Sequence, residues 1–186
     1  MIIGLAGYAQ SGKDTVAKVL IEQYGFKRVA FADKIRELLY EMDPPVPVGA
    51  GSEKHTVGLQ NYVDIYGWDV AKQNSIVRSM LQNLGVGART VFNNEFWIQQ
   101  ALIGIHFTDN VVITDVRFTN EANVIKKYEN SQLWRVTRPG VEAVNSHVSE
   151  HDLDNYKEDV HLHNAGTLDE LELLVQTRIG PLLNGN

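Results

Sequence analysis

Residues 1–7, MIIGLAG, form a continuous apolar run ending in glycine, which predicts a strand buried on both faces. From Lys13 the period changes. Val16, Ala17, Val19, Leu20 and Tyr24 recur at helical spacing, and Gly25 stands where that helix would stop. Residues 26–32, FKRVAFA, predict a second short strand. Residues 33–42, DKIRELLYEM, predict a helix capped by Asp33, with Ile35, Leu38, Leu39 and Met42 on one face. Pro44, Pro45 and Pro47 end it, and residues 43–58 predict a loop.

Three helical patterns follow. Residues 59–74 predict a helix broken at Gly67. Ile76, Val77, Met80, Leu81 and Leu84 define the next, which is expected to stop at Gly85. Residues 93–107 predict a third, with an Asn cap and an apolar stripe through Phe96, Trp97, Ala101, Leu102 and Ile105. Residues 110–118, NVVITDVRF, give the clearest strand, with Asp115 towards its C-terminal end. The pattern continues as helix over 119–128, strand over 131–139, a polar loop with a helical piece over 140–156, a strand and turn over 159–166, and helix over 167–183. Strands alternating with helices, the clearest of them continuously apolar, predict an α/β sandwich whose parallel sheet is covered on both faces. The largely helical segment 43–107 is expected to be an insertion that caps the sheet.

Composition narrows the partners. The 186 residues suffice for one domain with a real core and an inserted subdomain. No apolar run approaches the length of a membrane span, and MIIGLAGYAQ lacks the basic start of a signal peptide. There are no cysteines, which excludes disulfides and thiolate metal sites and is compatible with a reducing cytoplasm. The net charge is −6, from 17 basic and 23 acidic residues, so no general attraction to nucleic acid is expected and any bound anion needs a local pocket.

Such a pocket is suggested by residues 7–15, GYAQSGKDT, between the first strand and the first helix. Gly7 and Gly12 bracket a loop that includes Gln10 and Ser11, and Lys13 follows. Glycines let successive N–H groups turn inward around an anion, and the helix start adds positive dipole. Lys13 then reaches phosphate oxygens as a point charge. An ordinary glycine-containing turn is the alternative, but strand, loop and helix together are the context that makes the match specific. Asp14 has two readings: a hard oxygen ligand for Mg²⁺, or an acidic residue favoured by the helix start. Thr15 keeps a hydroxyl suited to a phosphate.

Asp115, at the carboxyl end of a strand, lies where open α/β sheets bind ligands and can hold Mg²⁺ or its water. Arg117 and Glu121 follow it, either as site residues or as a structural pair. Asp33 is a helix cap or a group that accepts a hydrogen bond or proton from a substrate. Arg36, one turn on, can clamp a phosphate. Arg78, Arg89, Arg135 and Arg138 are further candidates, with Arg138 before Pro139–Gly140 the best placed for a lid. His147, His151, His161 and His163 cluster in sequence, but without cysteine or HExxH spacing they do not predict zinc. Trp68, Trp97 and Trp134 are expected in the core, with Trp97 the one to consider as a stacking platform.

These strings together resemble the bacteriophage deoxynucleoside monophosphate kinases, within the P-loop superfamily of nucleoside-monophosphate-kinase-like proteins that also holds dephospho-CoA kinase. The resemblance is carried by GYAQSGKDT (7–15), FADKIRE (31–37), RSMLQNLGVGAR (78–89) with Phe96–Trp97, TDVRFTNE (114–121), SEHDL (149–153) and HNAGTLDEL (163–171). It implies a three-layer P-loop NTPase sandwich: a core over about 1–42 and 108–186, a helical acceptor-binding insertion over about 43–107, and a short lid over about 138–155. It implies transfer of the γ-phosphate of ATP to a deoxynucleoside monophosphate, giving the diphosphate, with Lys13, Asp33, Asp115 and Arg138 as the catalytic set.

By the same resemblance Gly7, Gln10, Ser11, Gly12, Lys13, Asp14 and Thr15 hold the donor phosphates, and Asn164 and Gly166 lie near the adenine. Asp14 and Asp115 hold Mg²⁺. Asp33, Lys34, Arg36, Arg78, Gln82, Arg89, Trp97, Arg117 and Glu121 line the acceptor site. The partners implied are small nucleotides, with neither nucleic acid nor membrane, and the helical insertion leaves room for a homodimer. The location implied is the cytoplasm, a host's if the gene is a phage's. A dephospho-CoA kinase-like activity and a nucleotide-binding regulatory module are the rival readings.

Overall fold

The computed structural model describes residues 1–49, 55–106, 108–143 and 151–183. In chain order the first elements are β1 (Ile2–Ala6), α1 (Lys13–Tyr24), β2 (Lys27–Val29), α2 (Phe31–Met42), β3 (Pro45–Val48) and β4 (His55–Gly58). Then come α3 (Leu59–Ala71), α4 (Ser75–Val91), α5 (Phe96–Leu102), β5 (Val111–Ile113) and α6 (Thr119–Ile125). The chain closes with β6 (Ser131–Thr137), β7 (Val160–His163) and α7 (Leu168–Leu183). The elements fall into two units, Met1–Phe31 with Leu102–Asn186, and Ala32–Ala101.

The first unit is a three-layer α/β sandwich around a five-stranded parallel sheet, in the order β2-β5-β1-β6-β7. All five residues of β1 are buried, as the apolar run requires of a central strand. On one face Val16, Val19 and Leu20 of α1 and Leu171, Val175 and Ile179 of α7 pack with Ile3, Leu5, Val112, Trp134 and Val136. On the other face α6 comes so close that a Cβ on Gly4 would stand 2.8 Å from Ile125 Cδ1 and 3.1 Å from Val116 Cγ2. Glycine in β1 is therefore a packing requirement. Because β1 has β5 on one side and β6 on the other, its carboxyl end is the switch point of the sheet, where such folds bind ligands.

The second unit holds most of α2, the β3–β4 hairpin, α3, α4 and nearly all of α5, around a core of Leu39, Val46, Leu59, Val63, Ala71 and Val77. The hairpin replaces the loop expected at 43–58, pairing Pro45 with Gly58 and Val48 with His55. Pro45 and Pro47 are two apart, so both missing N–H groups lie on one edge, and a two-stranded ribbon has a free edge to accept them.

Other boundaries move for physical reasons. Helix α4 does not stop at Gly85 but runs to Val91, with Ala88 on its buried side and the Gly85 carbonyl accepting the Trp97 indole N–H, against a cost of about 1 kcal/mol per glycine. Helix α5 is shorter than the pattern over 93–107 and is followed by Gly104 at φ +81°. Asn93 does cap the turn before it, accepting from the Glu95 amide at 2.8 Å. The break at Gly67 is where expected, with φ +76° and ψ 162° inside α3. Among the described residues, no helix is long and apolar enough to cross a membrane.

Candidate active site

The turn from β1 into α1 is built on two glycines that admit no side chain. Gly7, at φ +135°, has the Val136 carbonyl where a Cβ would go. Gly12, at φ +109°, would place its Cβ 2.6 Å from Asn164 Nδ2. Between them Gln10 adopts φ +65°, a left-handed conformation rare outside glycine. The Ser11 amide closes the turn on the Tyr8 carbonyl at 3.3 Å.

Lys13 opens α1 and folds its ammonium back, donating to the Gly7 carbonyl at 2.7 Å and the Tyr8 carbonyl at 2.6 Å. Ser11 is 1% exposed, and its Oγ has no hydrogen-bond partner among the described residues. A buried orphan hydroxyl is a group that a bound ligand would satisfy. Asn164, also buried, donates its side-chain amide to the Ser11 carbonyl at 2.9 Å, and its main-chain N–H bonds Thr137 at 2.7 Å. It braces the loop directly. Gly166 next to it has no room for a Cβ against the Glu170 carboxylate, which accepts from the Thr167 amide at 2.7 Å. Thr167 Oγ1 in turn accepts from the Glu170 amide at 3.3 Å, a reciprocal cap on α7.

Asp14 is exposed in the first turn of α1 and lines a small cavity of about 210 Å³ with Arg28 and Thr114. Thr15 is half-buried beside it. Strand β5 ends at Ile113, so Asp115 and Arg117 lie past its end. Asp115 is half-buried and accepts the Phe31 amide at 2.9 Å. Glu121, 2% exposed, receives the amides of Arg117 at 2.8 Å and Phe118 at 3.1 Å, and so caps the start of α6.

A cleft of about 440 Å³ opens beside the loop, lined by Gly7, Tyr8, Arg117, Arg135, Arg138 and Asp154 among others. Arg135 is held from three sides. Its Nη2 donates to the carbonyls of Leu153 at 2.6 Å and Tyr156 at 3.0 Å, and its Nε to Glu158 at 3.1 Å. Burial opposes ionisation of Glu158, but a bond from its own backbone and the Arg135 guanidinium hold its carboxyl below the usual range. The Asp154 carboxyl is also lowered, first by its bond with His151, against a smaller push from burial. Arg138, one residue past β6, is exposed on the cleft; its carbonyl accepts the Val141 amide at 3.1 Å, while its side chain makes no hydrogen bond or ion pair among the described residues.

The remaining candidates fall in the second unit. Helix α2 starts at Phe31, so Asp33 lies inside the first turn instead of capping it, and its carboxylate meets Arg36 Nη1 at 3.1 Å. Lys34 pairs with Glu37 at 2.5 Å. Arg78 is exposed and donates to the Lys72 carbonyl, while Gln82 on the same helix is exposed. Arg89 is half-buried. Trp97 is 2% exposed and donates its indole N–H to the Gly85 carbonyl at 2.9 Å, a core position.

His161 and His163 share the Thr137 hydroxyl, at 2.8 Å and 3.2 Å. Among the described residues no group of three or more metal-binding side chains gathers. His147 and residues 144–150 of the expected lid lie outside the described residues. Tyr8 and Asp154 have no spacing in the sequence that announces a partner so distant in the chain.

A parallel sheet with a glycine loop at its switch point, a cradle free of side chains and a lysine at the following helix start define a P-loop kinase fold. The chain belongs to the deoxynucleotide monophosphate kinase family, which it matches over residues 46–175. It is 30% identical over 184 residues to the "Putative deoxynucleotide monophosphate kinase" of Acanthamoeba polyphaga mimivirus, covering 91% of each chain. It is 29% identical over 183 residues to "Uncharacterized protein ORF76" of Ictalurid herpesvirus 1 (strain Auburn), covering 94% of this chain and 65% of that one. These relatives are viral, and neither is a bacteriophage protein. Among solved structures, the dephospho-CoA kinase from Campylobacter jejuni superposes with a TM-score of 0.52 at 14% identity, covering 100% of this chain and 98% of that one, a likeness of fold.

Proposed function

We propose that this protein transfers the γ-phosphoryl group of ATP to the 5′-phosphate of a deoxynucleoside monophosphate, releasing ADP and the deoxynucleoside diphosphate. The observation that carries the reading is the loop of Gly7, Gly12 and Lys13, with the orphan Ser11 hydroxyl inside it, in a chain of this family. A cradle with no space for a Cβ and a buried hydroxyl without a partner fit the phosphates of ATP.

In this reading Lys13 exchanges its two loop carbonyls for β- and γ-phosphate oxygens. The bond between the γ-phosphorus and the β–γ bridging oxygen breaks as an oxygen of the acceptor phosphate bonds to the γ-phosphorus. The attacking group is already an anion, so no general base is required, and positioning with charge neutralisation carries the step. Arg138, unencumbered at the cleft, supplies positive charge to the transferred group. Asp33, Lys34, Arg36, Arg78, Gln82 and Arg89 are assigned to the acceptor.

Mg²⁺ would suit the hard oxygens of Asp14, exposed in the first turn of α1, and of the Thr15 hydroxyl beside it, since that ion is commonly bound by one or two carboxylates with substrate phosphates. Asp115, half-buried past the end of β5, would supply the second carboxylate. When bound, the ion neutralises charge developing on the β- and γ-phosphate oxygens.

The test is ADP release from ATP with a panel of deoxynucleoside monophosphates, ribonucleoside monophosphates and dephospho-CoA. Stimulation by at least one deoxynucleoside monophosphate is expected. Failure of every one of them, or a preference for dephospho-CoA, would overturn the reading.

A further inference from the structure

Residues 151–155 fall in the segment expected to form a lid, yet residues 151–158 are stitched to β6 and α6 of their own unit. Besides the three bonds from Arg135, Asp152 accepts the Thr119 amide at 2.6 Å. Tyr156 Oη donates to Asn123 Oδ1 at 2.8 Å. Asp154 thus sits in a strap anchored on both sides of it.

From that strap Asp154 reaches the phosphate loop. Its Oδ1 accepts the Tyr8 hydroxyl at 3.0 Å, across 146 residues of sequence. Its Oδ2 lies 2.9 Å from His151 Nδ1. The Tyr8 and His151 rings meet edge-on, with centroids 6.5 Å apart. The main chain of Tyr8 serves the donor site at the same time. Its carbonyl accepts from Lys13 Nζ at 2.6 Å and from the Ser11 amide at 3.3 Å. One residue therefore links a fixed strap, by its side chain, to the lysine ammonium and the loop closure, by its backbone.

We propose that Asp154 is a positioning residue for the ATP site: by holding the Tyr8 hydroxyl it fixes the loop carbonyl against which Lys13 rests, and so the place from which the lysine engages phosphate. The inference rests on the assignment of this loop to ATP. Asp154 touches no substrate in it. His151 and Tyr8 both favour the ionised carboxylate, and bonds to an ionised acceptor are the stronger kind.

The experiment is calorimetric titration of ATP, without acceptor, into the wild-type protein, Tyr8→Phe, Asp154→Ala, Asp154→Asn and the double variant Tyr8→Phe/Asp154→Ala. Tyr8→Phe and Asp154→Ala should each weaken ATP binding about fivefold, as expected for one hydrogen bond, with stoichiometry unchanged. The double variant should bind no more weakly than Asp154→Ala, because both remove the same link. Asp154→Asn retains an accepting oxygen and should stay within about twofold of wild type.

Wild-type binding with unchanged affinity in the single variants overturns the inference, as do additive losses in the double variant. A fall in stoichiometry or melting temperature at constant affinity marks a purely structural contact and also overturns it. If the wild-type protein binds no ATP, the assignment of the loop fails and the inference falls with it. Failure of deoxynucleotide turnover alone leaves this binding result untouched.

Discussion

Asn164, in the turn after β7, donates its side-chain amide to the Ser11 carbonyl at 2.9 Å, and a Cβ on Gly12 would stand 2.6 Å from that same nitrogen. The loop between β1 and α1 is therefore shaped from the far end of the chain. Asn164→Ala leaves a shielded carbonyl without its donor, which costs about 1–3 kcal/mol. Urea unfolding should show that loss, and ATP titration should show weaker binding to the folded protein.

Lys13 carries the charge of the loop, and its ammonium already lies on the Gly7 and Tyr8 carbonyls. Lys13→Ala should reduce turnover by at least about 10²–10³-fold, the scale of losing one preorganised electrostatic group. Circular dichroism should show the fold retained. Unchanged turnover would contradict the donor-site assignment.

The Arg138 side chain makes no hydrogen bond or ion pair among the described residues, yet it lines the cleft beside the loop. Arg138→Ala should lower kcat by roughly 10²-fold. Its stability should stay within about 0.5 kcal/mol of wild type, as for an ordinary surface change. Steady-state kinetics and thermal melts on one preparation separate the two effects.

Glu158 gives a pH dependence of known sign. Its folded carboxyl titrates below the 4.5 of the free side chain, so the fold favours its ionised form. That contribution is complete above the unfolded value and is lost as pH falls through the lower, folded one. Glu158→Gln should therefore be less stable than wild type near neutral pH, with the gap closing in strongly acidic solution. Urea midpoints for both proteins along a pH series measure it. A gap that widens on acidification would contradict the pairing with Arg135.

Much of the sandwich can be read from pattern alone. The apolar run of β1 and the period of α1 are local signals, and so are the glycines and lysine between them. Boundaries were less legible where tertiary packing outweighs local preference. Gly85 stays helical within tertiary contacts that include the Trp97 indole on its carbonyl and buried Ala88 beyond it, and Asp33 loses its capping place because buried Phe31 already begins α2. Prolines at 45 and 47 suggested a loop, although an edge of a two-stranded ribbon tolerates both.

The motif residues of the site were visible, but their bonding was not. Glu121 caps α6 through main-chain amides, and Asn164 braces the loop, while motif matching alone gave each a ligand. Tyr8 and Asp154 carried no signal, because a pairing over 146 residues exists only in the folded chain.

Phosphoryl transfer to a deoxynucleoside monophosphate leaves a product that can be followed atom by atom. Its most direct test is incubation with γ-labelled ATP, Mg²⁺ and single deoxynucleoside monophosphates, followed by separation of the products. Label should appear in a deoxynucleoside diphosphate, formed in step with ADP and absent from Lys13→Ala. Label released only as inorganic phosphate, at a rate that no deoxynucleoside monophosphate changes, would contradict it.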